Sequence, residues 1–182
     1  MNYVLSLIIL FKNLYYIEIN GSSSLANASR KLFMNATINM NLKVGIKYMI
    51  NYMEFDSSMI EAIKDIYRKE SWNSYLKDDE KLIRAFDNSL YILGVFDDCK
   101  LVGFIRCVGD GEHILVVQDL IIDPEYQQRG IGTYLFKTIM QKYSKTRMFM
   151  VVTDIEDIVD NKFYRSFNMK KLEDMNMTVY IR

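Results

Sequence analysis

The chain has 182 residues, half of them hydrophobic, so it is long enough for one domain that buries a sizeable core. Lysine plus arginine and aspartate plus glutamate both number 23, and the formal net charge is zero. A nucleic-acid-binding protein usually carries a basic excess, and none is present here. The charge balance therefore argues against a nucleic-acid partner and against attachment to a membrane by charge.

The cysteine and histidine content argues against a structural metal site. The single histidine, His113, and the two cysteines, Cys99 and Cys107, are too few for the four ligands of structural zinc. A Cys–His catalytic pair is conceivable, but buried structural cysteines are the simpler interpretation. Two cysteines also make a disulfide scaffold improbable. The apolar residues 4–11 are too few to span a bilayer. We therefore predict a cytoplasmic protein without bound metal.

The chain divides into two parts near residue 44. Residues 1–43 mix polar and apolar side chains without a sustained period, and residues 21–24 form a Gly-Ser-rich break. We predict an N-terminal extension of unassigned role over residues 1–43. The regular signals that follow predict a single domain over residues 44–182.

Two helix starts are recognisable in the first part of this domain. Ser58 and Glu61 have the spacing of a capping box. Asp78 has the position of an N-cap before a second apolar periodic stretch. Two further helical patterns follow, one after a glycine-containing loop that ends near residue 133 and one over residues 158–167. The sequence thus predicts four helices in this domain.

Apolar runs between these helices predict strands. Two of them are joined by the turn residues 97–100 and predict a hairpin. Three strands come in succession at the centre, which favours an α+β fold with a mixed central sheet flanked by helices over a doubly wound parallel sheet. The predicted strands cover residues 46–52, 90–96, 101–108, 114–122, 148–153 and 177–181.

The segment from Leu120 to Thr133 is the most informative part of the chain. An apolar strand runs into the only proline, then into a polar loop, then into Gly130 and Gly132 at the start of a helical pattern. Glycine allows close approach of a ligand to the backbone, and the free N–H groups of a first helical turn favour an anion. Arg129 adds a positive charge. The segment therefore predicts a phosphate-binding loop.

Two common phosphate motifs are excluded by single residues of this loop. A P-loop has lysine where this chain has Thr133, and a dinucleotide fingerprint has glycine where this chain has Leu135. The remaining alternative is that Gly130 and Gly132 only make a tight turn from strand to helix.

The segment in its context resembles the central motif of the GNAT family of N-acetyltransferases, Q/R-x-x-G-x-G/A. Gln127, Gly130 and Gly132 fill its fixed positions, and Phe163 and Tyr164 are similar to the family's late Phe-Tyr pair. The order of elements over residues 44–182 also matches the family's single domain. The resemblance implies the acyl-CoA N-acyltransferase fold.

The chain departs from the family pattern in and after its last helix. Asp157 and Asp160 stand where the family often has asparagine and alanine. Asn168 takes the place of the glycine in the family's Leu-Gly-Phe turn, and asparagine tolerates the left-handed conformation that such a glycine supplies.

The resemblance implies transfer of the acetyl group of acetyl-CoA to a primary amine by direct attack in a ternary complex. The pyrophosphate would sit on backbone amides of the loop, and the pantetheine arm would pair with the preceding strand. A backbone N–H near Leu120 would polarise the thioester carbonyl. The implied cofactor-binding residues are Leu120, Ile121, Ile122, Gln127, Gln128, Arg129, Gly130, Ile131, Gly132 and Thr133.

The resemblance also implies catalytic roles. Tyr164 matches the family tyrosine that protonates the leaving thiolate; the alternative is a core aromatic residue. Asp119, just before the thioester position, is the candidate base for the amine, with Asp110 and His113 as weaker candidates. The alternative for Asp119 is a hydrogen-bonded strand residue at a bulge.

The acceptor pocket is expected between the first two helices. Trp72 and Tyr75 could form an aromatic wall for an amine, or be ordinary packing residues. We expect a small-molecule amine as acceptor. A protein lysine or N-terminal acetyltransferase and a non-catalytic acyl-CoA-binding module remain the alternatives, and the last predicted strand could pair across a homodimer.

Overall fold

The computed structural model describes residues 50–182. The predicted extension over residues 1–43 and the first four residues of the strand predicted over 46–52 lie outside this range. The strands are β1 (Ile50–Glu54), β2 (Tyr91–Asp97), β3 (Lys100–Gly109), β4 (Ile114–Ile122) and β5 (Met148–Val151). The α-helices are α1 (Ile60–Lys69), α2 (Asp79–Asp87), α3 (Ile131–Lys142) and α4 (Ile158–Arg165). In this part of the chain, no helix has the length and apolarity needed to cross a bilayer.

One mixed sheet organises the described residues. Its strand order is β1-β2-β3-β4-β5, with antiparallel pairing from β1 to β4 and parallel pairing between β4 and β5. The predicted hairpin is confirmed as β2–β3, and the bounds of β4 coincide with the predicted strand. The prediction of an α+β fold with a mixed, helix-flanked sheet is also confirmed.

Helices cover both faces of the sheet because each presents an apolar stripe to it. On α1 the buried residues Ile63, Ile66 and Tyr67 recur at helical spacing, and with α2 they pack on one face. On α3 the stripe includes Leu135 and Ile139, and it packs with α4 on the other face. Each fully buried apolar side chain of this kind stabilises the fold by about 1.5–3 kcal/mol.

One of the two predicted helix caps is correct. Asp78 accepts a hydrogen bond from the Lys81 amide at 2.9 Å and caps α2. The capping box of Ser58 and Glu61 is wrong. The Asp56 carboxylate instead accepts from the Ser58 amide at 2.9 Å, so a 3₁₀ turn starts upstream of α1.

The C-terminal strand predicted over residues 177–181 is also wrong. Its apolar side chains face solvent, with Tyr180 92% exposed, and no strand within residues 50–182 pairs with it. A period of apolar residues needs a neighbouring strand before it becomes part of a sheet. The homodimer stays a prediction, and the strand that was expected to pair across it is not formed in the described structure.

The turn that follows α4 agrees with the expectation for asparagine. Asn168 adopts a left-handed conformation, with φ of 61°, where the GNAT pattern often has glycine. This prediction is confirmed, since asparagine supplies the backbone geometry that the turn requires.

Candidate active site

A β-bulge interrupts the pairing of β4 with β3. Arg106 faces Asp119, and the next residue, Cys107, faces Val117, so Gln118 is the extra residue. In a regular strand, Val117 and Ile121 would face the same side of the sheet because they are four residues apart. Here Val117, before the bulge, packs with the α3–α4 layer, and Ile121, after the bulge, packs with the α1–α2 layer. The bulge thus turns Asp119 and Ile121 toward the first two helices.

β4 and β5 separate beyond the same point. Their parallel pairing covers residues 114–117 of β4 and residues 148–151 of β5. Within the described chain, no strand pairs with the β5-facing edge of residues 118–122. We call this gap the β4–β5 opening. An extended ligand that enters it can pair with the backbone of β4 as an added strand does.

The glycine turn lies directly after this strand, at the N-terminus of α3. Gly130 is the N-cap and has a φ of 78°, so the turn itself requires glycine there. Gly132 has no such conformation, and of the residues that the structure describes, a Cβ on it would meet only Phe163 Cζ, at 4.0 Å. The alternative of a plain tight turn therefore accounts for Gly130 and does not account for Gly132.

A buried carboxylate anchors the loop between β4 and α3. Asp123 is fully buried and pairs with Lys69, and it also lies 3.7 Å from the Lys100 ammonium. Burial alone would raise the pKa of Asp123, but the hydrogen bond from Lys69 and the positive charges lower it below its ordinary value. The ionised side chain also accepts from the Glu125 amide at 3.1 Å. Asp123 therefore fixes the entry to the loop.

Tyr126 holds Arg129 beside the glycine turn. Its hydroxyl donates to Asp97 Oδ2 at 2.6 Å, which raises the pKa of Tyr126 to about 12. The Arg129 guanidinium lies 5.0 Å from the centre of the Tyr126 ring and donates to the Glu125 carbonyl at 2.6 Å. These contacts hold the guanidinium beside the glycine turn. Sequence reasoning missed Asp123 and Tyr126 because no motif marks their partners.

Tyr164 lies in α4 and is 9% exposed. Its ring contacts those of Phe136 and Phe163, with centroids 5.3 and 5.2 Å away. Burial, followed by the charges of Asp160 and Asp157, raises the pKa of Tyr164 above its ordinary value. The hydroxyl therefore stays protonated at neutral pH and is available as a hydrogen-bond donor.

Asp119 belongs to a buried polar network. Its Oδ2 accepts from Arg106 Nε and, at 3.1 Å, from the Tyr67 hydroxyl. Arg106 also donates to the Ala85 carbonyl and to Ser89 Oγ, both at 3.3 Å. Burial raises the pKa of Asp119, against the opposing effects of the Arg106 charge and of these hydrogen bonds. Asp119 is 1% exposed, so it has the surroundings of a structural residue at a bulge.

Trp72 and Tyr75, the predicted aromatic wall, stack with Tyr67 and pack against the apolar cluster of the α1–α2 layer, as ordinary packing residues also would. Tyr75 and Trp72 lie 4.8 and 5.9 Å from Tyr67, with interplanar angles of 12° and 20°. The Tyr75 hydroxyl accepts from Gln118 Nε2 at 3.2 Å, which joins the wall to the bulge. A cleft of about 480 Å³ lies between this wall and β4, and Val152 closes part of it. The structure therefore brings Trp72 and Tyr75 together beside the β4–β5 opening.

The two weaker base candidates lie in the turn between β3 and β4. Asp110 Oδ1 accepts from the amides of Glu112, His113 and Ile114 at 2.8–3.0 Å. These hydrogen bonds lower the pKa of Asp110, which makes its carboxylate a poorer proton acceptor. Asp110 shapes the turn.

Glu70 is a site residue that the sequence did not single out. Its Oε1 accepts from Gln127 Nε2 at 2.6 Å, and the same nitrogen donates to the Ile122 carbonyl at 3.0 Å. Gln127 thus links the loop that carries Trp72 and Tyr75 to the end of β4. The pairing joins residues 57 positions apart, and no local pattern could have predicted it.

The sheet, the separated strands and the glycine turn define an acyltransferase fold. An acetyltransferase of the GNAT family from Streptococcus pneumoniae has the same fold, with a TM-score of 0.62 and 30% identity over 75% of this chain and 97% of that one. The PaiA N-acetyltransferase of Thermoplasma acidophilum, solved in complex with coenzyme A, shares the fold with a TM-score of 0.57, at 22% identity over 69% of this chain and 92% of that one.

The chain belongs to the acetyltransferase (GNAT) family, whose sequence model matches residues 57–169. A curated relative, the uncharacterized N-acetyltransferase ycf52 of Pyropia yezoensis, is 25% identical over 164 residues, which cover 80% of this chain and 92% of the relative. The predicted resemblance is therefore confirmed, and acetyl transfer is the activity that the family and the relative share by name.

Proposed function

We propose that this protein transfers the acetyl group of acetyl-CoA to a primary amine of a small molecule, with residues 44–182 as the catalytic domain. The observation that carries the proposal is Gly132. Within the described residues, neither packing nor backbone conformation requires a glycine there, and Gly132 lies in the first turn of the helix that follows β4. A phosphate that approaches the first turn of α3 supplies the missing reason.

The residues present fit acetyl-CoA. The amides of residues 128–133 and the Arg129 guanidinium would hold the pyrophosphate, with the Thr133 hydroxyl as a further donor. The edge of residues 120–122 would pair with the pantetheine arm, and the Leu120 N–H would polarise the carbonyl. When bound, acetyl-CoA supplies a thioester whose thiolate is a good leaving group. Gln127 keeps the end of β4 and the loop together.

Trp72 and Tyr75 would hold the acceptor. They belong to the layer of α1 and α2, whereas Tyr164 belongs to the layer of α3 and α4. The amine and the cofactor would therefore meet through the β4–β5 opening from opposite faces of the sheet. This arrangement suits direct attack in a ternary complex without a covalent enzyme intermediate.

Tyr164 would assist departure of the thiolate. The resemblance implies that Tyr164 protonates this thiolate, but a phenol is a weaker acid than a thiol, so full proton transfer is unfavourable. We infer that the hydroxyl instead stabilises the developing charge on sulfur by donating a hydrogen bond, while the attacking amine supplies the net proton. The side chain would thus act in the transition state and contribute little to cofactor affinity.

Replacing Tyr164 with phenylalanine is expected to lower kcat about 30-fold, because a donor to the leaving group is lost. The dissociation constant of acetyl-CoA should not change. Thiol release measures the first quantity and isothermal titration the second. Tyr180→Phe, at a tyrosine that is 92% exposed, is the matched control. A Tyr164→Phe variant as active as the parent protein would remove this residue from the mechanism.

Titration with acetyl-CoA, followed by an amine panel and a peptide panel, tests the function itself. We expect heat of binding at micromolar acetyl-CoA and thiol release with at least one small amine. Transfer to peptides alone would indicate a protein acetyltransferase, and binding without transfer to any amine or peptide would indicate a non-catalytic module. Absence of binding at high micromolar acetyl-CoA would refute the proposal.

Several expectations from the sequence stay predictions. They are the role of Asp119 as base, the absence of a metal from the reaction, the cytoplasmic location and the homodimer. The burial of Asp119 and its pairing with Arg106 favour the alternative of a bulge residue for that side chain.

A further inference from the structure

We propose that Glu70 accepts the proton that the acceptor ammonium must lose before its nitrogen attacks the thioester. The inference rests on the proposed function and names a residue of the same site that family resemblance did not mark. Three features of the described residues support it: the position of the carboxylate, the groups that face it, and the state of the other carboxylates.

Glu70 lies where the two halves of the site meet. It follows the last residue of α1 and precedes the loop that carries Trp72 and Tyr75. Its Oε1 is held by Gln127 Nε2 at 2.6 Å, and that amide is fixed by the Ile122 carbonyl at the end of β4. A neutral donor therefore holds the carboxylate at the cofactor loop and the end of β4, one residue before Ser71, which lines the cleft.

The negative charge of Asp160, on α4, acts on Glu70. Asp160 of α4 raises the pKa of Glu70 and also that of Tyr164. Glu70 directly follows α1, which packs on one face of the sheet, and Tyr164 lies in α4, which packs on the other face. The hydrogen bond from Gln127, whose amide is fixed at the Ile122 carbonyl, holds the Glu70 carboxylate at the end of β4, where that strand no longer pairs with β5.

The surroundings make Glu70 a better proton acceptor than an ordinary glutamate. Partial burial raises its pKa, Asp123 at the end of β4 and Asp160 on α4 raise it further, and the hydrogen bond from Gln127 lowers it. The neighbouring cations Lys69 and Lys100 are engaged by Asp123.

The other carboxylates considered for this step are less suited to it. Asp119 is buried and bound by Arg106, and Asp110 accepts three amide hydrogen bonds that lower its pKa. Glu70 is half-buried, and within the described part of the chain a single neutral side chain, that of Gln127, holds one of its oxygens.

The acceptor nitrogen loses two protons during the reaction. The ammonium R–NH₃⁺ gives one proton to the Glu70 carboxylate, directly or through one water, and its nitrogen lone pair attacks the thioester carbonyl. The C–N bond forms and the C–S bond breaks. The nitrogen loses a second proton, the sulfur gains one, and the products are the amide and the thiol. Glu70 returns its proton to solvent.

Glu70→Gln is the decisive variant, because glutamine keeps an oxygen that accepts from Gln127 but cannot take a proton. We expect kcat/KM near neutral pH to fall about 100-fold with acetyl-CoA affinity and melting temperature unchanged. The deficit should shrink as pH rises toward the amine pKa of about 10, where free amine is present without a base. Glu61→Gln, the same change on an exposed glutamate of α1, should leave activity and pH profile unaltered.

The outcomes separate the two proposals. A parent enzyme that acetylates amines together with a Glu70→Gln variant of equal activity would overturn the role of Glu70 and keep the proposed function. A loss of activity that is constant across pH would also overturn it, since such a loss reports positioning. A parent protein that binds no acetyl-CoA, or that transfers acetyl to no amine, would overturn both.

Discussion

Gly132→Val is expected to weaken acetyl-CoA binding by about 1000-fold without lowering the stability of the fold. The branched side chain would fill the space above the first turn of α3, where the pyrophosphate would meet the amides. Hydrogen bonds to charged groups are worth about 1.5–3 kcal/mol each, so the loss of two corresponds to about 4 kcal/mol. Among residues 50–182, a Cβ at position 132 would meet only Phe163 Cζ, at an ordinary contact distance of 4.0 Å, so the described fold has room for the first carbon of the side chain. Valine also has a better helix propensity than glycine.

Titration calorimetry and urea denaturation of the same variant separate the two effects. Gly103→Ala is the matched control for a glycine that the fold does require, because a Cβ there would lie 2.6 Å from Ile122 Cδ1 and 2.8 Å from the Ile121 carbonyl oxygen. It should lower the free energy of unfolding by about 1–3 kcal/mol. A Gly132→Val variant that binds acetyl-CoA as the parent does would show that the glycine turn is only a turn.

Arg106→Met is expected to lower the free energy of unfolding by about 4 kcal/mol, because it leaves Asp119 as an uncompensated charge in the interior. Asp119 Oδ2 would lose its cationic partner, and its Oδ1 already has no hydrogen-bond partner in the described part of the chain. Methionine keeps much of the apolar contact that the arginine makes with Phe86, whose ring centre lies 5.1 Å from the guanidinium carbon. The loss would therefore report charge rather than volume.

Urea denaturation at neutral pH measures this effect, and a double variant provides the control. Adding Asp119→Leu to Arg106→Met removes both charges, and it should recover most of the lost stability because neutral replacements of buried ion pairs are often tolerated. If Arg106→Met alone lowers the free energy of unfolding by less than about 1 kcal/mol, the result would contradict the assignment of this ion pair to the interior.

Those parts of the fold that local patterns specify could be predicted from the sequence. The β2–β3 hairpin follows from two apolar runs and a short turn, and the cap on α2 follows from Asp78 before an apolar stripe. The glycine turn was placed correctly because strand, polar loop and helix occur in one continuous segment. Each of these features is decided by residues close together in sequence.

What the sequence could not supply depends on contacts between distant residues. The partner of Asp119 lies 13 residues away on another strand, and that of Glu70 lies 57 residues away. The wrong prediction of a strand over residues 177–181 has the same cause. Its apolar residues are typical of a strand, but no described strand lies beside them to pair with. A local pattern gives the faces of an element and leaves open what those faces meet.

The bulge at Gln118 separates the part of β4 that would contact the acceptor from the part that would contact the cofactor. Cofactor and acceptor would contact different atoms of β4. The pantetheine arm would pair with the main chain of residues 120–122, and the amine would contact the side chains of Val116 and Gln118. Main-chain groups are the same for every residue except proline. If the proposed function holds, libraries randomised at Val116 and Gln118 would alter acceptor contacts and leave the main-chain groups of residues 120–122 in place, so that the two specificities could be adjusted separately.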